Sequence, residues 1–269
     1  MNYSLEDLVL LNAEHFIAIN KPANLVVNRS KTVKSITIQD LVLKSNILNL
    51  SKNINESKYI KDLKTIYSEF LSRGGIVHRL DKDTSGVLLI AKDVFGFYVL
   101  KKQFLKRKVK KIYHAVVWGD FIKFLGEKDY VLVNLPIARN PKNRKKFAIV
   151  GSGRDALTKV FPQNPLGKKN LNFVGTLEDN KFSFIKAVPK TGRTHQIRVH
   201  LKALNHEILG DSIYQGRQQQ RFSKKYNFNL MLHAYSLRFK LLDKLFKIKA
   251  DYPEEFTKNV QKINWSLQK

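Results

Sequence analysis

The 269-residue chain is 43% hydrophobic, enough to bury a sizeable core, and carries 49 Lys and Arg against 22 Asp and Glu, a formal charge of +27. Such a field attracts polyanions, whether RNA, DNA or an acidic membrane surface, although 37 of the basic residues are Lys, as in a chain from a Lys-rich proteome. The lack of cysteine excludes disulfides, Cys-ligated zinc and thiolate nucleophiles, and with them enzymes that attack a pyrimidine ring through cysteine.

Along the chain, Met1 to Phe16 carries Glu6, Asp7 and Glu14 and lacks a positive leader ahead of a long apolar run. No signal or transit peptide is read there, and no apolar stretch reaches membrane-spanning length, so a soluble cytoplasmic protein is expected. Phe16 to Asn20 reads as a short strand leading into Lys21 and stopped by Pro22, which cannot donate to a sheet ladder. A helix is expected near Ile36 to Ile47, and the polar stretch around Ser51 to Lys61 reads as part of a surface insertion near 48–66. After Gly74-Gly75 comes Ile76-Val77-His78-Arg79-Leu80-Asp81-Lys82-Asp83-Thr84-Ser85-Gly86, a polar loop, and then the apolar run Val87 to Ala91, a buried strand.

Lys101 to Lys111 holds seven Lys or Arg and no acid, and feeds a β-rich stretch, Ile112 to Trp118, ended by Gly119. A second basic cluster spans Arg139 to Lys146. Phe182 to Val188 alternates as a half-buried strand does, Thr191-Gly192 is a turn, and a helix follows. Thr194 is placed to cap that helix, Ile197, Leu201 and Leu204 form its apolar stripe, and Leu204-Asn205-His206 ends it. Strands scattered among helices without a regular βαβ rhythm point to the α+β class, with no repeat and no Gly- and Pro-rich linker. One catalytic domain over 1–269 is the simplest organisation, acting as a monomer.

Asp81 stands directly before a buried strand, which presents a loop carboxylate on a fixed backbone. Alone, a carboxylate between Arg79, Lys82 and Asp83 is ordinarily a solvated loop charge. Four segments together change that reading: Asn20-Lys21-Pro22-Ala23; His78-Arg79-Leu80-Asp81 with Thr84-Ser85-Gly86; Lys111-Ile112-Tyr113; and Thr191-Gly192-Arg193-Thr194-His195-Gln196-Ile197-Arg198-Val199-His200. In motif and order they resemble the RluA-type RNA pseudouridine synthases. The resemblance runs from about Phe16 to Phe256 and takes in Leu209-Gly210-Asp211, Leu232-His233-Ala234 and Pro253-Glu254-Glu255-Phe256.

The resemblance implies the pseudouridine synthase fold, a mixed and mostly antiparallel sheet with flanking helices and loops, and a reaction that isomerises uridine in RNA with no cofactor and no metal. The family's nucleophile maps to Asp81 and not to Asp83. Its active-site tyrosine maps to Tyr113 and the arginine that pairs with the aspartate to Arg198. Arg79, Arg193, His195 and Lys111 are assigned to RNA contacts or to support behind the reacting groups. Large-subunit ribosomal RNA is the expected partner, transfer RNA the second, and no membrane. Whether Asp81 adds to the uracil ring or acts at the ribose stays open.

The chain departs from the family in two places, with Asn24 where relatives have glycine, and Asn205-His206-Glu207 where they have glycine-histidine-proline. Asn tolerates left-handed backbone, so the first change is mild. Some twenty residues precede Lys21, too few for the small RNA-binding domain that many relatives carry, so no separate N-terminal RNA-binding domain is expected. Two other readings compete: an RNA assembly factor that has kept the fold and lost catalysis, and a basic DNA-binding protein, which lacks any helix-turn-helix, zinc or zipper signature.

Overall fold

The structure is a computed structural model that describes residues 3–50, 62–164 and 173–267. In chain order, strands β1 (Val9–Asn12) and β2 (Phe16–Lys21) precede helices α1 (Ile38–Lys44) and α2 (Leu63–Arg73), strand β3 (Ser85–Ala91) and helix α3 (Val94–Leu105). Strand β4 (Lys110–Trp118), helix α4 (Phe121–Leu125) and strands β5 (Val131–Asn134), β6 (Ile137–Arg139), β7 (Phe147–Ile149), β8 (Leu157–Pro162), β9 (Phe173–Leu177) and β10 (Asn180–Pro189) follow. Helices α5 (Gln196–Ala203) and α6 (Arg217–Lys225), strands β11 (Leu232–Leu241) and β12 (Lys244–Lys249), helix α7 (Glu254–Gln261) and strand β13 (Asn264–Leu267) complete the chain. This is the expected α+β class.

The expectation of one domain over 1–269 meets a chain that divides into two compact units, Met1–Lys110 with Ala234–Asp251, and Lys111–His233 with Tyr252–Lys269. The divisions at 110/111 and 233/234 fall inside β4 and β11, so no linker composition marks them.

In the first unit, β2 lies between β1 and β3, antiparallel to both, and β11 follows β3 with β12 antiparallel to it. All seven residues of β3 are buried, as the unbroken apolar run requires of a strand covered on both faces. Phe16, Phe70, Phe97, Leu89 and Phe239 centre its core. Helix α1 is shorter than expected and opens on a capping box, in which the Thr37 hydroxyl and the Asp40 carboxylate each accept the other's backbone N–H. The polar insertion expected near 48–66 falls chiefly on residues 51–61, outside the described residues; from Leu63 the chain is α2, capped by Asp62. Gly74, at φ +57, ends α2, and a Cβ on Gly75 would come within 2.1 Å of the Ala91 carbonyl oxygen, so the glycine pair lets the chain turn tightly against β3.

In the second unit, β10 is the central strand. Its Phe182–Ala187 stretch pairs with β4 on one side, while its first residues pair with β9 and its last with β8 on the other. Strand β5 extends the sheet from β8 and β13 from β9, all antiparallel. Helix α5 packs Ile197 and Leu201 into this unit's main core, with Leu204 beside them, as its apolar stripe foretells. Its cap is not Thr194. His195 is the N-cap residue, in the left-handed region at φ +55, and its side chain does not cap the helix. Strands β6 and β7 form a separate two-stranded hairpin over a small core of Ile137, Ala156, Val199 and Tyr214.

Candidate functional site

In the first unit, the His78-Arg79-Leu80-Asp81 segment lies between α2 and β3, outside any regular element. His78 accepts the Leu89 N–H of β3 on Nε2 at 2.9 Å and stacks on Phe104 at 4.4 Å, and Leu80 is buried. Arg79 is exposed and Asp81 half-buried, so the two functional groups stand beside two anchored side chains. A turn closes next, with the Thr84 N–H donating to the Asp81 carbonyl at 3.2 Å. Gly86, at φ +113, lies so close to β11 that a Cβ would fall 2.3 Å from the Ala234 carbonyl oxygen.

Lys21, fully buried at the end of β2, supports this turn from below. Its Nζ donates to the carbonyls of Pro22 at 2.7 Å, Leu25 at 2.9 Å and Lys82 at 2.9 Å, so it ties the turn that follows Asp81 to the loop that follows β2. Burial pushes its ammonium down to about 7, against the opposing pull of Asp83 and Asp81.

In the second unit, the motif from Thr191 to His200 is locked through Gln196 and Thr158. Gln196 Oε1 accepts the Thr191 hydroxyl at 2.7 Å and the Arg193 N–H at 2.9 Å, while its Nε2 donates to Leu157 O and to the Thr158 hydroxyl. Thr158 also bonds His200 Nδ1, and His200 Nε2 faces the Leu135 carbonyl at 3.1 Å. Burial lowers the His200 pKa, so the ring is neutral and donates from Nε2. Lys111 joins the cluster by donating to the Thr191 carbonyl at 2.7 Å, and Arg193 Nε donates to the Asp155 carbonyl at 3.0 Å.

Arg198 is buried, and its Nε and Nη2 make a bidentate pair with the Asp211 carboxylate at 2.8 and 2.7 Å. That pair uses one edge of the guanidinium and fixes the direction of the other, Nη1. Asp211 Oδ1 also accepts the N–H groups of Ile213 and Tyr214, and the Arg198 guanidinium lies 5.2 Å from the Tyr214 ring centre. Tyr113, half-buried on β4, stands opposite Ala187 of β10. The next residue along the strand, His114, points to the other face and bonds the Tyr252 hydroxyl at 2.6 Å.

The structure thus gathers Lys111, Arg193, His195 and Arg198 around one motif of the second unit, with Tyr113 on the same strand as Lys111, while Asp81 and Arg79 belong to the first unit. Sequence reading assigned no role to Lys21, Asp211 or Tyr214, although the first two stand in stretches that carry the resemblance. A lysine beside a strand-ending proline and an aspartate after a glycine were the available signals. Among the described residues no group of His, Asp and Glu is placed to hold a metal ion, and no helix is long and apolar enough to cross a membrane.

Residues 15–203 match the RNA pseudouridylate synthase family. "Ribosomal large subunit pseudouridine synthase D" of Borreliella burgdorferi is 40% identical over 200 residues, 74% of this chain and 55% of that protein. An "Uncharacterized RNA pseudouridine synthase" of Aquifex aeolicus is 35% identical over 77% of this chain and 55% of its own length, so the chain spans little more than half of these two relatives. "Dual-specificity RNA pseudouridine synthase RluA" of Vibrio cholerae is 32% identical over 86% of this chain and 76% of that protein. The solved structure of human RNA pseudouridylate synthase domain containing 1 shares the fold, with a TM-score of 0.68 at 22% identity over 100% of this chain and 91% of that one. The matched stretch holds Asp81, Tyr113 and Arg198 together with every residue assigned to RNA contact, and the chain belongs to the RNA pseudouridylate synthase family.

Proposed function

We propose that this chain isomerises uridine to pseudouridine in structured RNA, with Asp81 as the nucleophile, Tyr113 against the base and Arg198 as the family's active-site arginine that pairs with the aspartate. The observation that carries the reading is the setting of Asp81 inside the matched stretch: a half-buried carboxylate on a segment pinned by His78 and Leu80 and supported by Lys21. A group held that way reaches its reacting geometry without reorganising.

The chemistry breaks the bond between ribose C1′ and uracil N1, turns the base, forms the bond from C1′ to uracil C5, releases the proton from C5 and leaves a proton on N1. It is balanced within one nucleotide and needs no oxidant or reductant. The carboxylate of Asp81 serves either by adding to the uracil ring or by acting at the ribose, as a nucleophile or in forming a glycal. The Tyr113 ring stacks on the base once it leaves its helix, and its hydroxyl or a water takes the C5 proton. Arg79, Arg193, His195 and Lys111 hold the RNA or brace the reacting groups.

Large-subunit ribosomal RNA is the proposed target, supported by the name of the Borreliella relative, with transfer RNA second. The protein works as a cytoplasmic monomer. The test is to incubate wild-type and Asp81→Asn protein with unmodified total RNA and map pseudouridine by carbodiimide-blocked primer extension. New stops in large-subunit RNA with wild type alone are expected; stops with both proteins contradict the role of Asp81, and stops confined to transfer RNA contradict the target. Binding without any stops favours an RNA assembly factor.

A further inference from the structure

The hairpin of β6 and β7 presents Arg139, Lys142, Arg144 and Lys145 to solvent, with Lys146 half-exposed and no acid between them. Its tip has a defined shape. Asn140 Oδ1 accepts the N–H groups of Lys142 and Asn143, and Arg139 donates to the Arg144 carbonyl at 2.8 Å while lying over the Phe147 ring at 5.3 Å. A braced loop of cations suits a phosphate backbone, which gains from charges already placed.

The loop end of this hairpin is bonded through Tyr214 to His195, at the start of the helix that carries Arg198. The Tyr214 hydroxyl accepts the Phe147 N–H at 3.0 Å and bonds His195 Nδ1 at 2.8 Å, while the Phe147 and Tyr214 rings both meet the His195 ring edge-on. His195 holds a left-handed backbone at φ +55, strain of the kind that persists where side-chain aim matters more than backbone comfort. From the same tyrosine, the ring lies against Arg198 and the backbone N–H bonds Asp211, the partner of Arg198. One residue, buried in the small core under the hairpin, therefore touches the basic hairpin, the helix start and the motif arginine.

We propose that Tyr214 is a positioning residue through which RNA docked on the hairpin from Ile137 to Ile149 sets the aim of Arg198. The inference rests on the function proposed above and adds a route by which binding far from the reacting base raises the rate of its reaction, the use of remote binding energy expected of an enzyme with a large substrate.

The test is a kinetic cycle on the full chain with its RNA substrate, combining Tyr214→Phe with the hairpin variant Lys142→Ala, Arg144→Ala and Lys145→Ala. Tyr214→Phe keeps the ring against Arg198 and removes only the hydroxyl. Its kcat should fall roughly tenfold with KM changed by less than about twofold, the signature of an interaction that matters in the transition state. The hairpin variant should raise KM and lower kcat, and in the Tyr214→Phe background its effect on kcat should vanish while its effect on KM persists. A purely structural tyrosine would lower Tm and leave kcat, measured well below the transition, unchanged. Wild-type kcat in Tyr214→Phe, or the same kcat loss from the hairpin variant in both backgrounds, overturns the proposal. Wild-type protein that binds RNA and isomerises nothing overturns the function proposed above and this inference with it.

Discussion

Asp211 accepts two N–H bonds from Arg198 and two from its own backbone neighbourhood while fully buried, so its charge and its geometry are both committed. Replacing it by Asn leaves the Arg198 cation buried beside a neutral amide, and breaking such a pair from one side costs about 3–5 kcal/mol. Urea denaturation of Asp211→Asn should show that loss, and a loss under about 1 kcal/mol would mean that Arg198 is compensated elsewhere. Lys21→Met should likewise lower the urea midpoint, because three carbonyls lose their donor at about 1–3 kcal/mol for each one left buried and unpaired. An unchanged midpoint would show that water takes over those bonds. At this scale the sequence points to Asp81 and Arg198 because a motif concentrates chemistry-bearing side chains in a few consecutive residues. It was silent on Asp211 and Tyr214, because an ion pair across thirteen positions and a hydroxyl across sixty-seven depend on how α5 and the hairpin pack.

Strand β4 separates two chemistries by its period of two. Tyr113 faces one side, and on the other His114 is buried with the Tyr252 hydroxyl, His233 and Lys186 around it. Burial first, then the charges of His233 and Lys186, push the His114 pKa from 6.5 down to about 3. The folded pKa lies below the unfolded one, so on acidification the unfolded chain takes up a proton that the folded chain refuses. This contribution is fully present above pH 6.5 and is lost as pH falls from about 6.5 toward about 3. Between roughly pH 7 and roughly pH 5, wild type should lose about 2 kcal/mol more stability than His114→Gln, by the linkage of about 1.4 kcal/mol per pH unit. Equal losses in the two proteins would contradict it.

Elements were legible where apolar residues run together, as in β2, β3, β4 and β10. They were not where a polar stretch is organised by its neighbours: α6, Arg217 to Lys225, carries no apolar stripe, and β12 places a lysine at every second or third position. The cap of α5 was misread because the helix starts one residue later than expected, after His195 in the left-handed region, while Gln196 ties Thr191 and Arg193 to its first turn.

At the scale of the molecule, the charge of +27 becomes meaningful through the basic stretches at Lys101 to Lys111 and Arg139 to Lys146. If RNA engages roughly 6–10 phosphates there, affinity should fall by about 10³–10⁵ between roughly 50 mM and roughly 200 mM salt. A filter-binding titration checks this, and a shallow slope would assign the charge to composition and not to binding. The α+β class could be read from the sequence, but the division into two units could not, since two of its three crossings, at 110/111 and 233/234, lie inside strands and leave no linker to notice. The measurement that tests the central claim most directly is release of tritium from RNA labelled at uracil C5, under single turnover, by wild type and by Asp81→Asn at matched RNA affinity. The account predicts release by wild type and a rate lower by about 10³-fold or more in the variant, as for loss of a nucleophile. Release at comparable rates by both proteins would contradict it.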